Sequence, residues 1–428
     1  MEIKVFDDLG YGLSAIRTDK FKTTLVSLSF QAPIQREAVT KRSLLPYVLR
    51  NASQTYPTKK ALNTYLESLY GASISGTVEK RGKTQNIKFY LSLANEKFLP
   101  GGEPLLEEGI ALLKDILFNP LLVEGAFDPQ VVEVEKRLMK EYLESLYDDK
   151  TSYALQQLME NMCAGEDFSI RSSGYVEDLP GIDGKDLYEA YLKMLASDSL
   201  TITIAGDIDP DQVHDLFKEH FAFRGPQRDY KQMIDRQEKE PKEVEVLTEA
   251  QDIAQGKLNI GYRTFTRIGD EDYLPLLVFN GMFGGYAHSK LFVNVREKAS
   301  LCYYCASRLD NYKGLLYVYS GIEFKNYEKA LEIIDQQLED MKQGNFTDDE
   351  LCLSQKSLIN SKLESLDQAS GMMAHESLNE LLSPPLSVEG WIEKVNGVTR
   401  EDIIRVSGKI KKDTIYFLTG KEADTDGM

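Results

Sequence analysis

Apolar side chains recur at Leu106, Ile110, Leu113 and Leu117, a stripe with the period of an α-helix. Leu331, Ile334, Leu338 and Met341 repeat that stripe far downstream. A strand-like run precedes each helix, Asn86–Leu93 in one case and Leu315–Ile322 in the other. A long helical segment follows each, Phe127–Asp148 and Phe346–Asp367, and both carry Leu-Glu-Ser-Leu near their ends. Further on, Gly181-Ile182 and Gly397-Val398 open helices that lead to the strands Leu200–Ala205 and Ile415–Thr419. One helix of this kind arises easily by chance. The same order of elements, met twice, predicts a duplicated chain.

That order predicts an α+β fold of two homologous domains. Each is expected to be an antiparallel-rich sheet with helices packed on one face, and the pair to enclose a cavity. The chain of 428 residues exceeds what one core usually holds, which agrees. The charged, two-proline stretch 224–250 reads as a linker, partly helical or running into an edge strand, between an N-terminal domain, 1–223, and a C-terminal domain, 251–428.

Composition narrows the function. A net charge of −18 argues against nucleic acid as a partner, because phosphate would be repelled from most of the surface. No run approaches the roughly 20 apolar residues of a membrane span. Residues 1–17 lack the basic start and apolar middle of a signal peptide, so a cytoplasmic location is expected. The four cysteines are too scattered for a disulfide framework. Cys302 and Cys305 form a C-x-x-C, but in a strand-like run without a redox-type strand–helix context. They read as two free thiols that are neighbours by coincidence.

Self-contained catalytic patterns are absent. The four histidines include no H-E-x-x-H or H-x-x-E-H, and there is no G-x-S-x-G and no phosphate-binding loop. His214 and His220 lie six apart, nearly opposite each other on a helix, and read as exposed helix residues. A Cys302 nucleophile has no suitably placed histidine in the sequence.

One segment is distinctive. Gly281–Ile322 holds a Gly-Gly turn, an amphipathic helix and a strand, and supplies Gly284, Gly285, Ser289, Leu291, Phe292, Arg296, Glu297, Lys298, Leu301 and Tyr303. Here the chain resembles the second domain of the M16 (pitrilysin/insulinase) peptidases, whose fold is LuxS-like. The resemblance implies that Arg296 and Tyr303 grip the substrate backbone and stabilise an oxyanion, with Gly284, Gly285 and Ser289 in support. A guanidinium and a phenol are suitable donors for that work. By residue type alone, Arg296 reads as paired with a nearby acid and Tyr303 as core; the surrounding motif favours substrate contact.

The same resemblance places the family's zinc motif on Ser43-Leu-Leu-Pro-Tyr47. Ser43 and Tyr47 stand where the ligands belong, and Pro46 stands where the general base belongs. Tyr142 falls near the place of the third ligand. No zinc or other cofactor is therefore expected on this chain. The resemblance points to a bacterial subfamily that lacks the zinc motif, accompanies a zinc-bearing H-x-x-E-H homologue and is associated with elongation factor modification. It implies a peptide-gripping, non-catalytic subunit of a heterodimeric metalloendopeptidase, with that homologue and a peptide as partners. A scaffolding or peptide-binding pseudopeptidase is the alternative, and a homodimer of the isolated chain stays open.

Overall fold

The computed structural model describes residues 2–221, 223, 225–226, 233–237 and 239–421. The first half of the chain runs β1 (Glu2–Phe6), β2 (Gly12–Arg17), β3 (Thr23–Pro33), α1 (Val39–Leu49), α2 (Lys59–Ser68), β4 (Ser73–Arg81), β5 (Thr84–Ala94) and α3 (Leu105–Phe118). It continues through a ribbon, β6 (Leu122–Val123) and β7 (Ala126–Phe127), to α4 (Pro129–Asp148), α5 (Lys150–Met162), α6 (Gly184–Ser197), β8 (Ser199–Gly206) and α7 (Pro210–His220). The second half runs β9 (Glu245–Gln251), β10 (Gly256–Arg263), α8 (Tyr273–Asn280), β11 (Cys302–Asp310) and β12 (Leu315–Ile322). It ends with α9 (Tyr327–Lys342), α10 (Asp348–Ser365), α11 (Ala369–Asn379), α12 (Val388–Asn396), α13 (Arg400–Lys409) and β13 (Lys411–Gly420). Among the described residues no helix is long and apolar enough to cross a membrane.

These elements form two compact units. One comprises Met1–Glu144, Ile170–Met233 and Ser365–Leu378; the other comprises Ser145–Ser169, Ile234–Glu364 and Asn379–Met428. The partition departs from the two continuous halves read in the sequence. Helix α5 belongs to the second unit and most of α11 to the first. The stretch 224–250 runs into β9, an edge strand, and departs from a pure linker in that Ile234 and Asp235 are buried.

In the first unit the sheet order is β1-β2-β8-β3-β5-β4, with only β2 and β8 parallel. Alternation along β3 and β5 sends Val26, Leu28, Phe30, Ile87, Phe89 and Leu91 to one face, where they meet the apolar stripe of α3 in a single core. The other face is polar, with Ser27, Ser29, Asn86, Lys88, Thr201 and Thr203. Helix α11 borders a cavity of about 150 Å³ over it, and Arg81 donates to Ser377 Oγ at 3.0 Å.

The second unit repeats the plan as β11-β12-β10-β13-β9, with only β13 and β9 parallel. Its second face carries an apolar patch. Ala154 and Leu158 of α5 pack on Tyr416 and Leu418 of β13, and Met162 lies against Gly261 of β10. A side chain at Gly261 would occupy the space the Met162 sulfur fills. The duplication extends to detail: α6 and α13 open with the same reciprocal cap, Asp183 with Asp186 and Thr399 with Asp402.

The loop after α5 carries Glu166, 3% exposed, into the second unit's interior. It accepts from Arg263 at 2.7 and 3.1 Å and pairs with Lys313 at 2.5 Å. Lys313, fully buried, also reaches Asp235 at 2.8 Å, and Arg263 reaches Asp413 at 2.8 Å. Burial pushes the Glu166 carboxyl up, but the bonds from Arg263 and Lys313 outweigh it and hold it below the usual carboxylate range. Removing one member leaves buried charge unpaired, so Glu166→Gln is expected to cost about 3–5 kcal/mol in urea unfolding. A depressed folded pKa contributes stability above about pH 4.3 that is lost as pH falls through the folded value. The wild type should therefore lose stability more steeply than Glu166→Gln as the pH is lowered below that point.

Candidate functional site

Two open cavities, one in each unit, are bordered by Ser43, Tyr47 and Tyr142 in the first case and by Arg296 and Tyr303 in the second. In the first unit, a cavity of about 290 Å³ is bordered by Ser43, Tyr47 and Arg50 from α1 and its end, and by Thr77 and Val78 of β4. Glu135, Leu138, Met139 and Tyr142 of α4 and Ser173 complete the wall. Residues 135, 138, 139 and 142 share one helical face, whereas Glu141 is exposed and off the lining. Pro46 is buried and faces Gly76 of β4, clear of the lining.

This cavity does not fit zinc. The Ser43 hydroxyl shares its one proton between the carbonyls of Val39 and Ser172, at 2.8 and 2.7 Å, and accepts from Gln85 at 3.1 Å, so it is already held by the fold and is a weak neutral ligand. Glu135 is the only carboxylate in the lining, and it already accepts from Asn51 at 2.8 Å. The Arg50 guanidinium, 5.2 Å from the centre of the Tyr47 ring, opposes a dication. Burial raises the Tyr47 phenol, only partly offset by Arg50, so it stays neutral at neutral pH. Among the described residues no cluster of three or more His, Cys, Asp or Glu can hold a metal. Sequence reading missed the contribution of Glu135, although its seven-residue spacing from Tyr142 on a helix signals a shared face.

In the second unit, α8 runs on into a π-helical turn at Gly281–Gly285, and a second π-helical turn spans Phe292–Lys298. Such wide turns recur at functional sites because they re-aim side chains. Gly284 lies against β11: a Cβ there would come within 2.7 Å of the Ser307 backbone nitrogen. Gly285 ends the first turn against Asn280. Ser289 is fully buried and its carbonyl accepts from Val293 N–H at 2.9 Å, at the start of the helix that bears Arg296. The motif thus presses the Arg296 helix against the strand that carries Tyr303.

Arg296 and Tyr303 border one open cavity of about 430 Å³, with Gln255, Glu297, Ser300 and Cys302. Tyr303 is 84% exposed and fills no core. The Arg296 guanidinium lies 4.4 Å from the centre of the Phe292 ring and 3.8 Å from Glu297, a solvent-exposed pair of little strength. Both side chains therefore keep donors free for a ligand. The histidines do not converge. His214, read as exposed, is largely covered because it stacks on Phe6 at 4.6 Å and meets Asp8 at 3.0 Å. His220 is also only partly exposed, with a buried ring nitrogen.

Comparison with known proteins shows the family. Residues 181–358 match the family model described as Peptidase M16 inactive domain. The chain is 40% identical over 414 residues, 96% of both chains, to a protein of Bacillus subtilis named "Probable inactive metalloprotease YmfF". The crystal structure of a conserved protein from Enterococcus faecalis V583 is similar at a TM-score of 0.90 with 33% identity, covering 98% of this chain and 99% of that one. A peptidase M16 inactive domain from Pseudomonas fluorescens shares the fold at a TM-score of 0.81 and 16% identity, over 98% and 99% of the two chains.

Because Gly284 has backbone within reach of any Cβ, Gly284→Ala is expected to destabilise the protein by about 1–3 kcal/mol in urea unfolding. Equilibrated with zinc and then desalted, the wild-type chain is expected to retain no stoichiometric metal by elemental analysis.

Proposed function

The chain belongs to the M16 peptidase family as a member without a catalytic zinc site, and on that premise we propose that it is the peptide-gripping subunit of a two-chain zinc metalloendopeptidase. A zinc-bearing homologue supplies the activated water; this chain supplies Arg296 and Tyr303. The exposure of Tyr303 beside Arg296 on one open cavity carries the reading. Tyr303 covers no core and keeps its hydroxyl in solvent, so an apolar ring and a polar tip are both available for contact.

The chemistry follows from the two groups. An extended peptide presents carbonyl oxygens along its length. The Arg296 guanidinium and the Tyr303 hydroxyl donate hydrogen bonds to such a carbonyl and strengthen them as negative charge develops on its oxygen. Strand β4 offers a further handhold, since it is an edge of the first unit's sheet and its residues Thr77 and Val78 border that unit's cavity. A peptide added to that edge would be held by main-chain hydrogen bonds independent of its sequence. The alternative role, peptide binding without proteolysis, draws on the same cavity, which keeps Tyr47 and Tyr142 in its wall.

Reconstituted with its zinc-bearing homologue, Tyr303→Phe is expected to lower kcat by about 10²–10³, as for loss of an oxyanion donor. Arg296→Ala should lower kcat/KM at least as much, and in both cases the complex should persist by size-exclusion chromatography. Unchanged cleavage by both variants would overturn the gripping role and leave peptide binding or scaffolding.

A further inference from the structure

Cys302 and Cys305 are three residues apart on β11, and in a regular strand they would point to opposite faces. The register shows why they do not. From Cys302 to Cys305 the strand advances three residues while its partner β12 advances two, from Ile322 to Ser320. This β-bulge inserts one extra residue and turns both sulfurs to the same side. Ile322 and Ser320 are two apart on β12 and share one of its faces, so the two thiols opposite them share that face as neighbours. Cys302 is half-buried and borders the cavity of Arg296 and Tyr303, whereas Cys305 is 2% exposed. One thiol is open to small solutes and the other waits behind it.

The surroundings favour the anion on the outer sulfur. The neighbouring Cys305 thiol outweighs the effect of burial and, with Ser320 and Arg296 adding to it, brings the Cys302 thiol down to about 7. The same contact and burial push Cys305 well up, which keeps its proton in place. A thiolate fraction that is substantial at neutral pH, on an accessible sulfur beside a second thiol, is the arrangement of a redox-responsive pair.

We propose that Cys302 and Cys305 form a peroxide-oxidisable dithiol, with Cys302 the reacting thiol and Cys305 the resolving one. The Cys302 thiolate attacks one oxygen of the peroxide, the O–O bond breaks, and hydroxide leaves to take a proton from solvent as the first water. Cys302 becomes a sulfenic acid. The Cys305 sulfur then attacks the Cys302 sulfur, the S–O bond breaks, and the hydroxyl departs with the Cys305 proton as the second water. Two thiols have lost two electrons to the peroxide. The disulfide would fasten the bulge that presents Tyr303 and remove the negative sulfur near Arg296. The chemistry stands whether or not the chain grips a peptide.

The reduced full-length chain, treated with a small excess of hydrogen peroxide, alkylated with iodoacetamide and digested with trypsin, tests this. The peptide Ala299–Arg308 contains both cysteines. It is expected to lose both alkyl groups and two hydrogens in mass, reversibly with dithiothreitol, at a dose that leaves the exposed Cys352 alkylated. Cys305→Ser is expected to trap a sulfenic acid at Cys302 that dimedone captures, several-fold more than in the wild type. The proposal is overturned if both cysteines stay alkylated while Cys352 oxidises. It is equally overturned if Cys302 passes to sulfinic acid without a disulfide, or if dimedone labels wild type and Cys305→Ser alike.

Discussion

A sheet has two faces, and the helices of its own half of this chain cover only one. That shortage governs the architecture. In the second unit the uncovered face carries an apolar patch, and α5, encoded in the first half, buries Ala154, Leu158 and Met162 against it. The absent side chain at Gly261 lets the helix lie close. In the first unit the face is polar, and α11 borders it with a hydrogen-bonded cavity in place of a dry seam. The same duplication thus solves one geometric problem in two chemical ways.

The apolar solution carries an electrostatic anchor. Glu166, just beyond α5, satisfies two cations that the second unit has already taken out of water. Burying charge is unfavourable unless the partners are complete, so the crossing segment is required for the interior it enters. Asp235 plays the complementary part from the other side of Lys313, which explains why a stretch that reads as a polar linker has a buried segment.

Much of this was legible in the sequence. The helical stripes around Leu113 and Leu338 mark the faces that pack, and the repeated order of elements foretells two sheets of one design. The Gly281–Tyr303 motif foretells the family, because Gly284 is needed where backbone meets backbone. The helix exchange was not legible, since a buried stripe such as Ala154, Leu158 and Met162 does not name the sheet it will cover. The bulge at Cys302 was also hidden. A strand pattern read with a strict period of two puts Cys302 and Cys305 on opposite faces, and only the register with β12 reveals the extra residue. His214 was misread because its covering partners, Phe6 and Asp8, lie at the far end of the same half.

The exchange of helices has a consequence for heredity. A substitution at Leu158 is written in the first half of the gene but felt by the strands of the second, and one at Met373 is felt by the strands of the first. Neither half can drift alone. A duplicated gene of this kind is tied together by its own fold, and a break between the halves would yield fragments that must be made side by side.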